Sequence, residues 1–285
     1  MFGKKVDKQS KMDDREDYFL YCLLAVDIDG TLLDSQGRLS PQNKAAVAKA
    51  LSAGAMVVPA TGRAYRAMEW VCKELKLGTT PVIVSGGAKV VEYPSGNIVY
   101  EKLMRPEDVR DILDFTFEQQ VYAQVYDRQD VFLYQEEREE ADFYATRLRY
   151  QGRKADLKHG VFCETPKVLL TVAEDKVQDT YRVARTHFGE RFRIVQSGPR
   201  FLEFFPPDVD KGQALAWLGA SVGRPADSMI AMGDTGIDIA MIKYAGLGIA
   251  VANATPETKA AADIVTVSCD ENAVAQVIDE YMITG

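Results

Sequence analysis

Short apolar runs that do not alternate with polar residues recur at both ends of this chain. Leu23–Ile28, Ala55–Ala60 and Pro81–Val84 come first, and Met229–Met232, Leu247–Ala252 and Ile264–Val267 come last. A strand that is apolar on both faces has to be covered on both faces, as in a parallel sheet clothed by helices. The stretches between the runs supply the helices. Pro41–Ala53 is predicted helical, with Ser40 as its N-cap and Gly54 as its stop, and Ala64–Leu77 follows, ending at Gly78. In the last third, helices are expected at Gly212–Leu218, Ile237–Tyr244, Pro256–Ala262 and the C-terminus.

The middle of the chain is patterned differently. Val90–Tyr100 reads as a hairpin around a Pro-Ser-Gly-Asn turn, and Val121–Gln135 alternates apolar and polar residues as antiparallel strands do. Helices near Pro106–Gln119, Arg138–Tyr150 and Asp175–Phe188 are interleaved with strands at Val168–Ala173, Arg191–Ser197 and Phe201–Pro206. The expected organisation is an α/β fold: a Rossmann-like parallel-sheet core domain, residues 19–103 and 208–285, interrupted by an inserted α+β domain, residues 104–207. Residues 1–18, dense in charge, read as a flexible N-terminal extension.

Composition narrows the function classes. A formal net charge of −8 over 285 residues argues against general affinity for nucleic acid or an anionic membrane. Cys22, Cys72, Cys163 and Cys269 form no CxxC, and only His159 and His187 are present, so disulfide, zinc and histidine-relay chemistries are poor fits. No apolar run reaches the ~18 residues of a membrane span. The polar N-terminus lacks the apolar stretch of a signal peptide, and a cytoplasmic location is expected.

The ends of the apolar runs carry the chemistry. The first runs into Asp27-Ile28-Asp29-Gly30-Thr31, the second into Thr61-Gly62-Arg63, the third into Ser85-Gly86-Gly87, and Met229–Met232 into Gly233-Asp234-Thr235-Gly236-Ile237-Asp238. Each of these is an ordinary turn or helix cap when taken alone. In an open α/β sheet, however, ligands bind beyond the carboxyl ends of the strands, which gathers all four segments on one edge. Carboxylates brought together repel unless a cation sits among them. Oxygen ligands without histidine or cysteine favour a hard cation, Mg²⁺ by default. Glycines let backbone N–H groups approach an anion closely. The edge therefore reads as a metal-plus-phosphate site.

With these residues in place, the chain resembles the haloacid dehalogenase superfamily of phosphatases. The resemblance rests on DIDGT, the threonine of PATGR, the lysine of DKGQAL and the GDxxxD block. It is similar above all to the Cof-like sugar-phosphatase branch, in which a large α/β cap is inserted between the second and third motifs. The C-terminal AGLGIAVANATPETKAAADIVT also matches that branch. The resemblance implies a phosphomonoester hydrolase acting on small phosphorylated metabolites, sugar phosphates first. Asp27 would be the nucleophile that becomes an aspartyl-phosphate, and Asp29 the general acid and base. Thr61, Gly62 and Lys211 would bind the phosphoryl group. Mg²⁺ would be held by Asp27, the Asp29 backbone carbonyl and Asp234, with Asp238 supporting the metal site or Lys211 from behind.

Two positions depart from the family pattern. Ile237 stands where an asparagine is usual, and Gly86 stands where Asn-Gly-Ala is common. An isoleucine cannot donate a hydrogen bond, and loss of one positioned donor has cost ~10²–10³ in rate elsewhere. The expectation is a working but slow or specialised phosphatase. Two other readings fit the same residues: a phosphomutase, and a phosphometabolite-binding protein with weakened or no catalysis. The inserted domain, rich in Tyr122, Tyr126, Arg128, Phe132, Tyr134, Arg147, Arg149 and Tyr150, is expected to read the leaving group. The sequence carries no signal for oligomeric state.

Overall fold

The computed structural model describes residues 21–136, 139–149, 151–160 and 164–283; the expected N-terminal extension and Cys163 lie outside them. In chain order the elements are β1 (Leu23–Val26), α1 (Pro41–Ser52), β2 (Met56–Pro59), α2 (Tyr65–Glu74), β3 (Thr80–Val84), β4 (Lys89–Tyr93) and β5 (Asn97–Glu101). The middle section holds α3 (Pro106–Glu118), β6 (Tyr122–Tyr126), β7 (Phe132–Tyr134), α4 (Glu139–Leu148), β8 (Arg153–Lys154), β9 (Val168–Thr171), α5 (Val177–Phe188), β10 (Arg193–Gln196) and β11 (Phe201–Phe205). The chain closes with α6 (Lys211–Ser221), β12 (Met229–Gly233), α7 (Ile239–Tyr244), β13 (Leu247–Ala250), α8 (Pro256–Ala261), β14 (Ile264–Val265) and α9 (Ala273–Tyr281).

The two ends of the chain build one parallel sheet in the order β14-β13-β12-β1-β2. Its strands are apolar on both faces, and both faces are covered. Leu24, Val26 and Val57 pack with Val47 of α1, Met68 of α2 and Ile278 of α9. Leu23, Ala25 and Val58, pointing the other way, pack with Leu215 of α6 and Met241 of α7. Ser40 caps α1 as expected: its side chain accepts from the Asn43 N–H, and Pro41 opens the helix, where no N–H is needed. Gly54, at φ 86°, lies just beyond the end of that helix.

The third apolar run behaves differently from the expectation. β3 touches the parallel sheet through one bridge, Ala60 to Ile83, and pairs antiparallel with β4 in a separate sheet β3-β4-β5. The backbone gives the reason. The N–H groups of Met56 and Ala60 bond β1, so the alternate positions of β2 face β3. One of those is Pro59, which has no N–H to give. The Thr61 N–H, donating to the Ile83 carbonyl at 2.8 Å, is left to join the two strands.

The middle section forms a third sheet, β10-β11-β9-β6-β7-β8, antiparallel except for the β7–β8 pair. The two-residue β8, exposed and basic, was not anticipated from the sequence. One face of this sheet carries Val125, Leu170, Leu202 and Phe204 against α3 and α5. The opposite face carries Tyr126, Leu169 and Phe201, which pack with Tyr144 of α4 and with Ala64 and Ala67 at the start of α2. That second face therefore lies over the parallel sheet's carboxyl edge. A buried Lys89–Asp130 pair at 2.8 Å joins β4 to the turn after β6 across the same seam. No helix among the described residues is long and apolar enough to cross a membrane.

Gly87 fixes the approach of α6 to this edge. It sits at φ 98°, and a Cβ there would overlap the Asp210 backbone at the start of α6. Gly87→Ala is expected to lower stability by about 1–3 kcal/mol from the left-handed backbone alone, with the overlap adding to it. Urea unfolding with an unchanged m-value would check this, and an unchanged midpoint would refute it.

Candidate active site

β1 lies between β2 and β12, so the segments leaving these three strands are neighbours. Asp27 follows β1 directly, and its N–H donates to the Met232 carbonyl of β12 at 3.0 Å. The next turn kinks at Gly30, φ 77°, where a Cβ would overlap the Asp234 carboxylate. Glycine is thus needed both for the backbone angle and for the close approach of the loop after β12. Asn253 steadies the turn by donating to the Gly30 carbonyl at 2.8 Å.

Lys211 is the first residue of α6, a helix capped by Asp210 through the Gln213 N–H. Its side chain is fully buried, and Nζ donates to Asp27 Oδ1 at 2.5 Å and Asp238 Oδ1 at 2.6 Å. Asp238 spends its second oxygen on the N–H groups of Asp234 and Thr235, at 3.1 and 3.0 Å. It therefore holds both the ammonium and the loop that presents Asp234. Burial, with repulsion from Asp238 and Asp29, raises Asp27 to about 7 even though Lys211 pulls the other way. Burial, then Asp27 and Asp238, raise Asp234 to about 9. Burial works against the charge of Lys211, but Asp238 and Asp27 outweigh it and hold the ammonium above its ordinary range.

These three carboxylates bring oxygens within 4.8 Å of one another. Asp238 is fully engaged by its own hydrogen bonds, whereas the Asp234 carboxylate accepts none from the described residues. A hard divalent cation fits this donor set: it would offset the repulsion that drives Asp27 and Asp234 towards their neutral forms. Asp27 and Asp234 are the side chains with capacity to hold it.

Asp29 is placed apart from that cluster. Both of its oxygens accept from Arg63, Oδ2 from Nε at 2.8 Å and Oδ1 from an Nη at 2.7 Å. Thr61 and Gly62 line the same cavity, of about 600 Å³, as Asp27, Asp29 and Asp234. The Thr61 hydroxyl accepts from the Arg63 N–H at 3.1 Å. The sequence-expected residues thus converge, with Lys211 and Asp238 beneath the cavity floor. Sequence reasoning missed Arg63 as a partner of Asp29. It also missed Lys167 and Glu203, which enter the cavity from the middle-section sheet. The available signal was a charge inside an apolar run: Lys167 opens KVLLTVA, and Glu203 interrupts FLEFF. Among the aromatic and basic residues singled out in the insert, Tyr126 and Phe132 are buried in packing and Arg128 is exposed. The Arg149 guanidinium, at the cavity rim, lies 3.9 Å from the Trp70 ring centroid. Tyr150 and the Arg147 side chain lie outside the described residues.

Ile237 and Gly86 are linked. Ile237 packs with Ala88, Phe205 and Val209, and the Phe205 ring lies where a Gly86 side chain would be, 2.6 Å from the Cβ position. Two positions at which the family resemblance implies an asparagine instead form an apolar wall closed by an aromatic ring.

Comparison with known proteins agrees with this geometry. A family model described as haloacid dehalogenase-like hydrolase matches residues 24–278. The Bacillus subtilis (strain 168) protein YxeH is 30% identical over 277 residues, covering 93% of this chain and 99% of that one. The 5-amino-6-(5-phospho-D-ribitylamino)uracil phosphatase YwtE of the same organism is 28% identical over 287 residues, covering 91% and 97%. A crystal structure of a haloacid dehalogenase-like hydrolase from Bacteroides thetaiotaomicron superposes with a TM-score of 0.82 at 25% identity, covering 91% of this chain and 98% of that one.

Two outcomes are expected. Ile237→Asn would bury an amide against Phe205 without a partner, and should cost about 1–3 kcal/mol, read as a lower midpoint in urea; an unchanged midpoint would show the wall to be unimportant. The second concerns pH. Asp27 and Asp234 prefer their neutral forms when folded, so in EDTA their contribution to stability should fall as pH rises from the ordinary carboxylate value towards 7–9. Mg²⁺ should raise the melting temperature most at the alkaline end. A Mg²⁺ effect independent of pH would contradict this account.

Proposed function

The chain belongs to the haloacid dehalogenase-like hydrolases, and from that premise we infer that it is a Mg²⁺-dependent phosphomonoester hydrolase. It works through an aspartyl-phosphate on small phosphorylated metabolites, sugar and polyol phosphates first. The observation that carries this reading is Asp27: a buried carboxylate at the end of an interior strand of the parallel sheet, 2.5 Å from a buried ammonium, on the floor of a cavity. The phosphatase named among the relatives, whose substrate carries a phosphorylated ribityl chain, supports the choice of substrate class.

In the first step an Asp27 oxygen bonds to phosphorus while the ester P–O bond breaks, and the departing alkoxide takes its proton from Asp29. In the second, water gives a proton to Asp29 and attacks phosphorus, the bond to Asp27 breaks, and inorganic phosphate leaves. Lys211 and the Thr61–Gly62 turn would stabilise the phosphoryl oxygens as charge develops. Asp27 and Asp234, with the Asp29 backbone carbonyl, would hold the Mg²⁺, whose charge neutralises the phosphoryl oxygens. For Asp29 to serve, a carboxylate oxygen must be released by Arg63. Asp29 must carry a proton when the ester bond breaks, so Arg63 is read as the group that orients Asp29 in the free site, and its release lets that carboxylate take up a proton from solvent before the substrate oxygen departs. In the same reading, residues 104–207 form the cap that excludes water from a core made of residues 19–103 and 208–285.

Phosphate release from a panel of sugar, polyol and cofactor phosphates tests this, with Mg²⁺ and with EDTA. Release should require Mg²⁺, vanish in Asp27→Asn, and fall about 10²–10⁴-fold in Asp29→Asn. Release by Asp27→Asn at the wild-type rate would exclude the covalent route. Folded wild type that binds these phosphates and releases none would favour the binding-protein reading.

A further inference from the structure

The mechanism above leaves two buried charges unused. Lys167, 1% exposed, lies at the start of β9, and Glu203, 3% exposed, is the middle residue of β11. Their side chains point into the cavity above Asp27 from the sheet that covers it. Lys167 Nζ donates to Glu203 Oε2 at 2.5 Å and to the Gly62 carbonyl at 2.7 Å. The second carboxylate oxygen, Oε1, takes no hydrogen bond from the described residues and stands 3.7 Å from where a Gly62 Cβ would be. An ammonium has three donors, and these two bonds use two of them.

An ion pair of this kind is a poor device for stability. Removing both charges from water costs several kcal/mol, and apolar residues of similar volume often do as well or better. Its position suggests another use. The unbonded Oε1 of Glu203 and the Lys167 ammonium, which also lies 5.4 Å from the Tyr126 ring centroid, stand side by side over the phosphoryl site, next to the apolar side chains of Leu169, Phe201 and Ile237. A hydroxyl can donate to Glu203 while a neighbouring hydroxyl accepts from Lys167, with the carbon skeleton against the apolar wall. A second phosphate or a carboxylate would meet the Glu203 charge and be repelled.

We propose that Lys167 and Glu203 are the specificity-determining pair of this site and read adjacent hydroxyls of a neutral polyol or sugar leaving group. The inference rests on the phosphatase reading for its phosphoryl site. It also gives Gly62 a role: its carbonyl anchors Lys167, so the group that reads the hydroxyls is registered on the turn that holds the phosphate.

The test compares a hydroxylated phosphate, ribitol 5-phosphate, with the hydroxyl-free p-nitrophenyl phosphate. In Glu203→Gln the ratio of their kcat/KM values should fall about 10- to 100-fold, the loss expected for one charge-assisted hydrogen bond. The double variant Lys167→Met/Glu203→Leu removes both charges without leaving one unpaired. It should melt no lower than wild type and lose the preference as well. A lower melting temperature with the ratio intact would make the pair a structural strut and overturn the proposal. Binding of the two phosphates to Asp27→Asn, with and without Glu203→Gln, is measured by calorimetry in parallel. If wild type turns over neither compound, the phosphatase reading falls, while a hydroxyl preference in binding that Glu203→Gln removes still upholds the pair. Binding indifferent to the hydroxyls or to Glu203 refutes it.

Discussion

One ammonium organises the charged half of this molecule. Lys211 Nζ reaches Asp27 at the end of β1 and Asp238 behind the loop after β12, and it comes from the first turn of α6. Three elements far apart in sequence are therefore held by one group. The arrangement is coherent only as a whole. Without Lys211, two buried carboxylates would face each other with nothing to offset their desolvation, and breaking a buried pair in this way typically costs about 3–5 kcal/mol. Conversely, the ammonium keeps its charge at full burial because two anions flank it. The helix cap at Asp210, the close approach at Gly87 and the hydrogen bonds that fix Asp238 all set the position of that one nitrogen.

The same edge shows how a polar position can be exchanged for an apolar one without leaving a void. Ile237 alone would be a hydrophobic side chain facing a charged cavity. With glycine at position 86, the Phe205 ring lies against the turn after β3, and Ile237, Ala88 and Val209 pack around it. Gly86 and Ile237 are thus parts of a single substitution, made in the packing between the two sheets. The rate penalty inferred from a missing amide treats Ile237 as an isolated loss, whereas the structure places it in a cluster that also lines the wall of the cavity.

Much of this was legible in the sequence because it depends on local pattern. Unbroken apolar runs marked β1, β2, β12 and β13, and the acids, threonine and glycines at their ends lie on one edge as the parallel-sheet rule requires. What was not legible depends on partners distant in the chain. Pairing of β3 with β4 turns on which edge of β2 Pro59 faces. The engagement of Asp29 by Arg63 is set by the rotamers of two side chains 34 residues apart. Glu203 sat in a run that reads as a strand and Lys167 just before another, and their approach to each other follows from a pairing of β9 with β11 that no local pattern encodes.

The middle-section sheet meets the rest of the molecule through contacts of different kinds, and the difference bears on how firmly the proposed cap would be registered over the site. Leu169, Phe201 and Tyr126 against Ala64 and Ala67 give area, and apolar area is indifferent to small sliding. Lys167 on the Gly62 carbonyl and Lys89 on Asp130 are directional, and each is satisfied in one register only. An interface made of the first kind alone would close loosely. One made of the second kind alone would pay desolvation at each opening and gain little burial. The combination supplies apolar burial along the seam while two lysines fix its register. One of those lysines bonds the turn that carries Thr61, so the position of the roof is set by the same residues that define the floor.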